Sequence, residues 1–379
     1  MRSIKTKLFS LAMAAALVLA LAGCAVSTPS TVGSIGGVEI PAGVYLLAQY
    51  NSYNTAASAA DLATGETASD VKAVLKATCT GTINGEEVTA TGSDYVAQLT
   101  TRAIEYYAAV EKQFAEQNGV LDDAATAEAA KTADSLWSSN GDLYTANGIS
   151  KASVETYLLN AQKAKALLQM TYGPDGTNPV TDEQYTDYVN NDCYYIEAVQ
   201  FPLVDYSSYT MADDDQKAAI MATAENCMAE LNTTATAETA SNSTLYTAAM
   251  TYVPEAMSAM GSTMDASQAV YYASSQLYTP DNLSSYGSDE YNNLTDPLDE
   301  AGMNTWTTID LGTTILVARK IDPFKTYTVD ELNSMYDILT AMKSTDIQDE
   351  LYAAGAALEH DLNSSALNTY SASNIKKNV

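Results

Sequence analysis

One histidine, His360, occurs in the whole chain, beside four cysteines, Cys24, Cys79, Cys193 and Cys227. Ser-His-Asp and Cys-His catalysis both need an imidazole as general base, so this count nearly excludes them. No G-x-S-x-G elbow, phosphate-cradling G-x-x-x-x-G-K-[ST] loop, G-x-G-x-x-G turn or H-E-x-x-H helix is present. There is no C-x-x-C pair to suggest a metal or redox site. Asp289, Glu290, Asp296, Asp299 and Glu300 supply oxygen atoms that a Ca²⁺ would take. They lack the periodicity and the glycine of an EF-hand, so the segment reads as a solvated loop. No catalytic residue, metal site or cofactor is assigned on these grounds. The 26 tyrosines offer broad, polar-tipped surfaces suited to peptides or glycans, but Tyr106, Tyr157 and Tyr336 recur at helical core spacing and read as packing. His360 stands two positions from both Leu358 and Leu362, about 200° around a helical wheel, which predicts a water-facing place on a C-terminal helix.

The most specific chemical signal lies at the N-terminus. Arg2, Lys5 and Lys7 precede an apolar run, Leu8 to Leu21, that closes in Leu21-Ala22-Gly23-Cys24. The run is shorter than the roughly 20 residues a spanning helix needs, and small residues before Cys24 suit signal-peptide cleavage. It resembles a bacterial lipoprotein signal with its lipobox. That resemblance implies removal of residues 1–23 and a diacylglycerol thioether on Cys24. The protein would then be lipid-anchored at the extracytoplasmic face of the bacterial cell membrane. Residues 24–31, with Ser27, Thr28, Pro29 and Ser30, read as a tether. Cys79, Cys193 and Cys227 are odd in number, so at least one is unpaired; buried or free thiols without catalytic duty are expected, and any disulfide among them is left open.

Charge removes whole classes of function. With 18 Lys+Arg against 47 Asp+Glu, the formal charge is −29. A polyanion would be repelled, so nucleic acid is excluded as a partner, and so is a polybasic membrane tether. Loss of Arg2, Lys5 and Lys7 with the leader makes the mature chain three units more negative still. Only 17% of residues are charged and 46% are hydrophobic, enough to bury a core. A length of 379 residues suggests two domains.

The pattern predicts a hairpin over residues 32–40 around Gly36-Gly37, then a helix from about Pro41. Asn84-Gly85 marks a second hairpin. Val96, Leu99, Ala103, Tyr106, Val110 and Phe114 recur at spacings of three and four and predict a long helix ending near Gly119. A polar helix over Asp122 to Trp137 and another behind a Ser150 cap follow. Thr181 to Gln184 and Thr328 to Glu331 read as capping boxes. Tyr194 to Leu203 and Thr314 to Ile321 read as buried strands, with a helix between them behind Asp213, Asp214 and Asp215. The tract 232–314 is rich in Ser, Thr and Asn, with short helices expected near Tyr246 and Met257. Two helices close the chain, one carrying Leu332, Tyr336 and Leu339 and one carrying Ile347, Leu351, Ala354 and Leu358.

Asn147-Gly148-Ile149-Ser150 before a helix, Pro179 to Gln184 before another, and then the strand Tyr195 to Phe201 resemble the PrsA/SurA-type extracytoplasmic foldases. The opening Val32 to Ile40 is similar to that family's N-terminal hairpin. The resemblance implies a mostly helical α+β fold. A discontinuous helical chaperone domain, 32–192 continued by the closing helices of 324–379, would carry an inserted parvulin-type peptidyl-prolyl isomerase domain, 193–323. It implies unfolded or nascent exported polypeptides as partners. Parvulin sites carry one histidine on the first strand and one on the last; here these positions fall near Ala198 and Thr314, and neither is histidine. The expectation is therefore a lipid-anchored chaperone with weak or absent isomerase activity, whose peptide groove would involve Ala198, Phe201 and Thr314. The alternatives are an active isomerase and a solute-binding lipoprotein of a transporter. The latter would need repeated βαβ units, which the strand-poor pattern disfavours.

Overall fold

The computed structural model describes residues 29–205, 209–235, 242–284 and 288–377. Cys24 and the expected leader, residues 1–23, lie outside the described residues. The chain divides into two compact units. One contains the described residues up to Leu167 together with those from Asp346 onward, and the other spans Leu168–Thr345. The fold is α+β and mostly helical, with small sheets, and every strand pair among the described residues is antiparallel.

The first unit opens with strands β1 (Thr31–Ile35) and β2 (Val38–Pro41), so Thr31, the last tether residue, already belongs to the sheet. Gly36 and Gly37, at φ 56° and 82°, form the two-residue left-handed turn that matches strand twist. Helix α1 (Ala42–Ala59) and strand β3 (Ala60–Asp61) follow, then helix α2 (Val71–Lys76), capped by the Asp70 carboxylate. Strands β4 (Thr78–Ile83) and β5 (Glu86–Thr91) turn at Asn84-Gly85 with the same geometry, φ 55° and 77°. Helix α3 (Gly92–Glu116) buries Val96, Ile104, Ala108, Val110 and Phe114. Helix α4 (Asp123–Ala146) runs one continuous course past Trp137, two turns beyond the predicted end. Helix α5 (Lys151–Tyr172) starts where the Ser153 amide donates to the Ser150 hydroxyl at 3.1 Å.

In the second unit the predicted capping box at Thr181 and Gln184 opens helix α6 (Asp182–Asp192), and strand β6 (Tyr194–Pro202) follows. Strands β7 (Val204–Asp205) and β8 (Thr210–Met211) form a small ribbon. Helix α7 (Asp214–Thr234) has its own capping box, Asp213 with Gln216. Tyr246 and Met257, read as two short helices, share one helix, α8 (Asn242–Ala259), which accommodates Pro254. Helix α9 (Ala266–Ala269) and strand β9 (Ala273–Tyr278) come next, then helices α10 (Pro280–Ser284) and α11 (Ser288–Ala301). Strands β10 (Thr307–Asp310) and β11 (Thr314–Lys320) complete a four-stranded sheet in the order β10-β11-β6-β9. Val199, Phe201, Ile315 and Val317 pack on α7 and α8, whereas Ile196, Ala198, Leu316 and Ala318 pack on Leu298 of α11. A sheet covered on both faces explains why β6 and β11 read as nearly unbroken apolar runs.

Helix α12 (Val329–Tyr336) starts at the predicted box of Thr328 and Glu331 and packs on α6. Asp337, left-handed at φ 53°, separates it from α13 (Ile338–Ala356), whose part from Asp346 onward belongs to the first unit. Gly355 lets that part meet α3 backbone to backbone: a side-chain carbon there would lie 2.5 Å from the Glu105 carbonyl oxygen. Strand β12 (His360–Leu362) then adds to β1, and helix α14 (Ser364–Thr369) precedes a tail fastened by Lys377, whose ammonium donates to Tyr50 Oη at 2.9 Å and Asn54 Oδ1 at 2.7 Å.

Candidate functional site

Ala198, Phe201 and Thr314 sit within the four-stranded sheet. Thr314 adjoins Phe201, its hydroxyl donating to the Phe201 carbonyl at 3.0 Å. Ala198 lies opposite Ala318 instead. Strand residues three apart point to opposite faces, so Ala198 and Phe201 belong to different hydrophobic clusters and share no wall. Phe201 is fully buried and Ala198 nearly so, which makes both core residues in this conformation.

Glu197 and Arg319 were not singled out from the sequence, though a charged residue inside each of two apolar strands is a readable signal. Both are buried, and they stand opposite each other in the strand register. Arg319 donates through Nε to Glu197 Oε2 at 2.8 Å and through Nη1 to the Ala235 carbonyl at 2.8 Å, and its Nη2 lies 2.7 Å from Glu197 Oε2 as an ion pair. Its guanidinium carbon lies 4.8 Å from the centre of the Trp306 ring. This cluster ties the sheet to the end of α7 and is closed to solvent, so its role is structural.

The three described cysteines, Cys79, Cys193 and Cys227, are buried and free. Burial pushes the Cys193 and Cys227 thiols up to about 12 and raises Cys79 as well, which keeps the unreactive protonated form. His360 is on a strand and not on a helix. The helix ends at Ala356, and the Glu359 carbonyl accepts the Gly36 amide at 2.8 Å, which draws the next residues onto β1. His360 Nε2 lies 3.1 Å from Glu105 Oε1. Burial raises the Glu105 carboxyl above its usual range, and His360 opposes that shift.

The acidic segment is helical, in α11, and not a loop. Asp299 on it accepts from the Tyr194 hydroxyl at 2.6 Å and lies 3.5 Å from Lys320 Nζ; the side chains of Asp289 and Glu290 lie outside the described residues, as does that of Tyr336. Among the described residues no three His, Cys, Asp or Glu side chains are grouped to hold a metal. No helix of the described residues is long and apolar enough to cross a membrane.

One cavity in the first unit has a polar wall with an unmatched charge. It measures about 150 Å³ and is lined by Asn51 and Thr55 of α1, Leu99 and Arg102 of α3, Tyr157 of α5 and Tyr352 of α13. The Arg102 guanidinium carbon lies 3.7 Å from the Tyr352 ring centre, and Tyr352 meets Tyr106 at 4.7 Å. Arg102 Nε is sealed from solvent and has no hydrogen-bond partner. The close approach at Gly355, three residues after Tyr352, brings that ring onto α3. Burial pushes Tyr106 up to about 12 and raises Tyr157, so both phenols remain protonated hydrogen-bond donors. No protein-family model matches the sequence, and no curated protein emerges as a relative.

Proposed function

We propose that this protein is a lipid-anchored extracytoplasmic chaperone that binds unfolded exported polypeptides, with weak or absent prolyl isomerase activity. The observation that carries the proposal is the surface of the Leu168–Thr345 unit. The large apolar side chains exposed among the described residues are Val120, Tyr209, Met211, Tyr246, Met250, Tyr271, Met303 and Met335, and all but Val120 belong to that unit. Methionine is flexible and polarisable, and tyrosine joins a broad ring to a polar tip, so such a surface adapts to many sequences. Singly exposed apolar residues are ordinary; seven methionines and tyrosines concentrated on one unit favour contact with polypeptide.

Two further facts support the reading. Tyr194–Pro202 pairs with Thr314–Lys320 in one sheet between helices, the arrangement that a parvulin-like domain requires. The unit contains no histidine, and Ala198 and Thr314 offer no imidazole to a prolyl site, which supports loss of isomerase activity. Entirely antiparallel pairing among the described residues disfavours the βαβ architecture of the transporter reading. The net charge of −29 would favour basic clients and make their binding salt-sensitive, because exposed charges are screened beyond about 8 Å at physiological ionic strength. The test is suppression of aggregation of a reduced, unfolded client. Wild type should suppress it, and Met211→Ser combined with Tyr271→Ser and Met335→Ser should weaken suppression without lowering the melting temperature. Equal suppression by wild type and the triple variant would contradict the proposal.

A further inference from the structure

We propose that the cavity bounded by Asn51, Arg102, Tyr157 and Tyr352 binds a single carboxylate group, with Arg102 as its anchor. The inference does not rest on the chaperone reading. Beyond Arg2 of the leader, the sequence contains two arginines, Arg102 and Arg319. Arg319 meets Glu197 through two nitrogens. Arg102 has no carboxylate at salt-bridge distance among the described residues, although acids outnumber bases 47 to 18. Its Nε is sealed even from water, so a ligand can be met only by the two terminal nitrogens of the guanidinium.

The geometry selects among anions. A guanidinium lying over the Tyr352 ring keeps its N–H groups in its own plane, pointing away from the ring face, and that planar fork matches a carboxylate. The Tyr157 and Tyr352 rings wall the cavity, and the raised Tyr157 phenol is a donor at neutral pH. Asn51 adds an amide at the rim. One cation in a strongly acidic protein favours a monoanion over a phosphate, whose greater charge calls for several cations. The volume of about 150 Å³ lies below the ~300 Å³ at which pockets for larger ligands begin. It suits a carboxylate with a few attached carbons.

Two sources share this chemistry: the free C-terminus of a polypeptide and a small free carboxylic acid. Ligand-observed NMR on the whole protein distinguishes them, with N-acetyl-trialanine, its C-terminal amide, and propionate as probes at about 10 mM, since a single charged contact gives millimolar affinity. The proposal expects the acid peptide to bind and the amide not to. Arg102→Gln should weaken acid binding by about tenfold or more, with Arg102→Lys intermediate. Thr55→Phe fills the rim from an exposed position and should block binding while leaving the fold and the charge of Arg102 intact. Propionate binding as tightly as the peptide assigns the site to free acids, and peptide binding alone assigns it to chain termini. Equal binding of acid and amide, unchanged binding by a folded Arg102→Gln or Thr55→Phe protein, or no binding of any carboxylate to wild type would overturn it.

Discussion

Glu197 and Arg319 face each other across neighbouring strands, both sealed from water, with one carboxylate oxygen held by two guanidinium nitrogens. Removing one member leaves a buried charge uncompensated. Glu197→Ala should therefore cost about 3–5 kcal/mol, while Glu197→Leu with Arg319→Met should cost far less, because replacing the whole pair removes both desolvation penalties. Urea unfolding followed by tryptophan emission measures this, since Trp306 lies against Arg319. A Glu197→Ala loss below about 1 kcal/mol would mean that the pair is solvated in solution.

The buried thiols give a second check. Burial pushes Cys193 and Cys227 up to about 12 and raises Cys79, so none supplies thiolate at neutral pH. In a Cys24→Ser protein a thiol reagent should label none of the three in the native state and all three in urea. Rapid native labelling of any one would show that its burial is transient.

Glu331 makes the pH dependence of α12 testable. The backbone amide and hydroxyl of Thr328 donate to its carboxylate and hold it below its ordinary value of 4.5. A depressed carboxylate contributes stability that is complete above the unfolded value and is lost as pH falls through the folded value. Wild type should therefore exceed Glu331→Gln in stability at about pH 7 and lose that advantage by about pH 3. Thermal melts at the two pH values measure it, and a difference independent of pH would contradict the capping role.

Strands β6 and β11 were legible because both are rich in β-formers, and the capping boxes at Thr181 and Thr328 because their side chains stand three residues apart; the same spacing at Asp213 and Gln216 was read only as an acidic helix start. Strand β9, with Ser274, Ser275 and Gln276, lies at a sheet edge and carries little apolar pattern, so nothing local marks it. The exposed position read for His360 holds, but its helical place was misread because the apolar spacing of Ile347, Leu351, Ala354 and Leu358 runs past the true helix end. Its strand exists only through pairing with residues more than three hundred positions earlier. Arg102 reads as one charge on an amphipathic helix. Its cavity is assembled from four helices distant in sequence, and the decisive approach depends on Gly355.

Anchoring through Cys24 predicts that a palmitate analogue labels the wild-type protein in cells and misses Cys24→Ser. The thioether needs that sulfur, so equal labelling of both would remove the lipid anchor from the account.

The most direct test places two assays on one purified sample: a protease-coupled Xaa-Pro peptide assay and light scattering from an aggregating client. A chaperone lacking imidazoles near Ala198 and Thr314 should suppress scattering and leave prolyl isomerisation at its uncatalysed rate. Strong catalysis, lost on altering Phe201 and unchanged by His360→Ala, would contradict the claim of an inactive prolyl site, and unchanged scattering would contradict polypeptide binding itself.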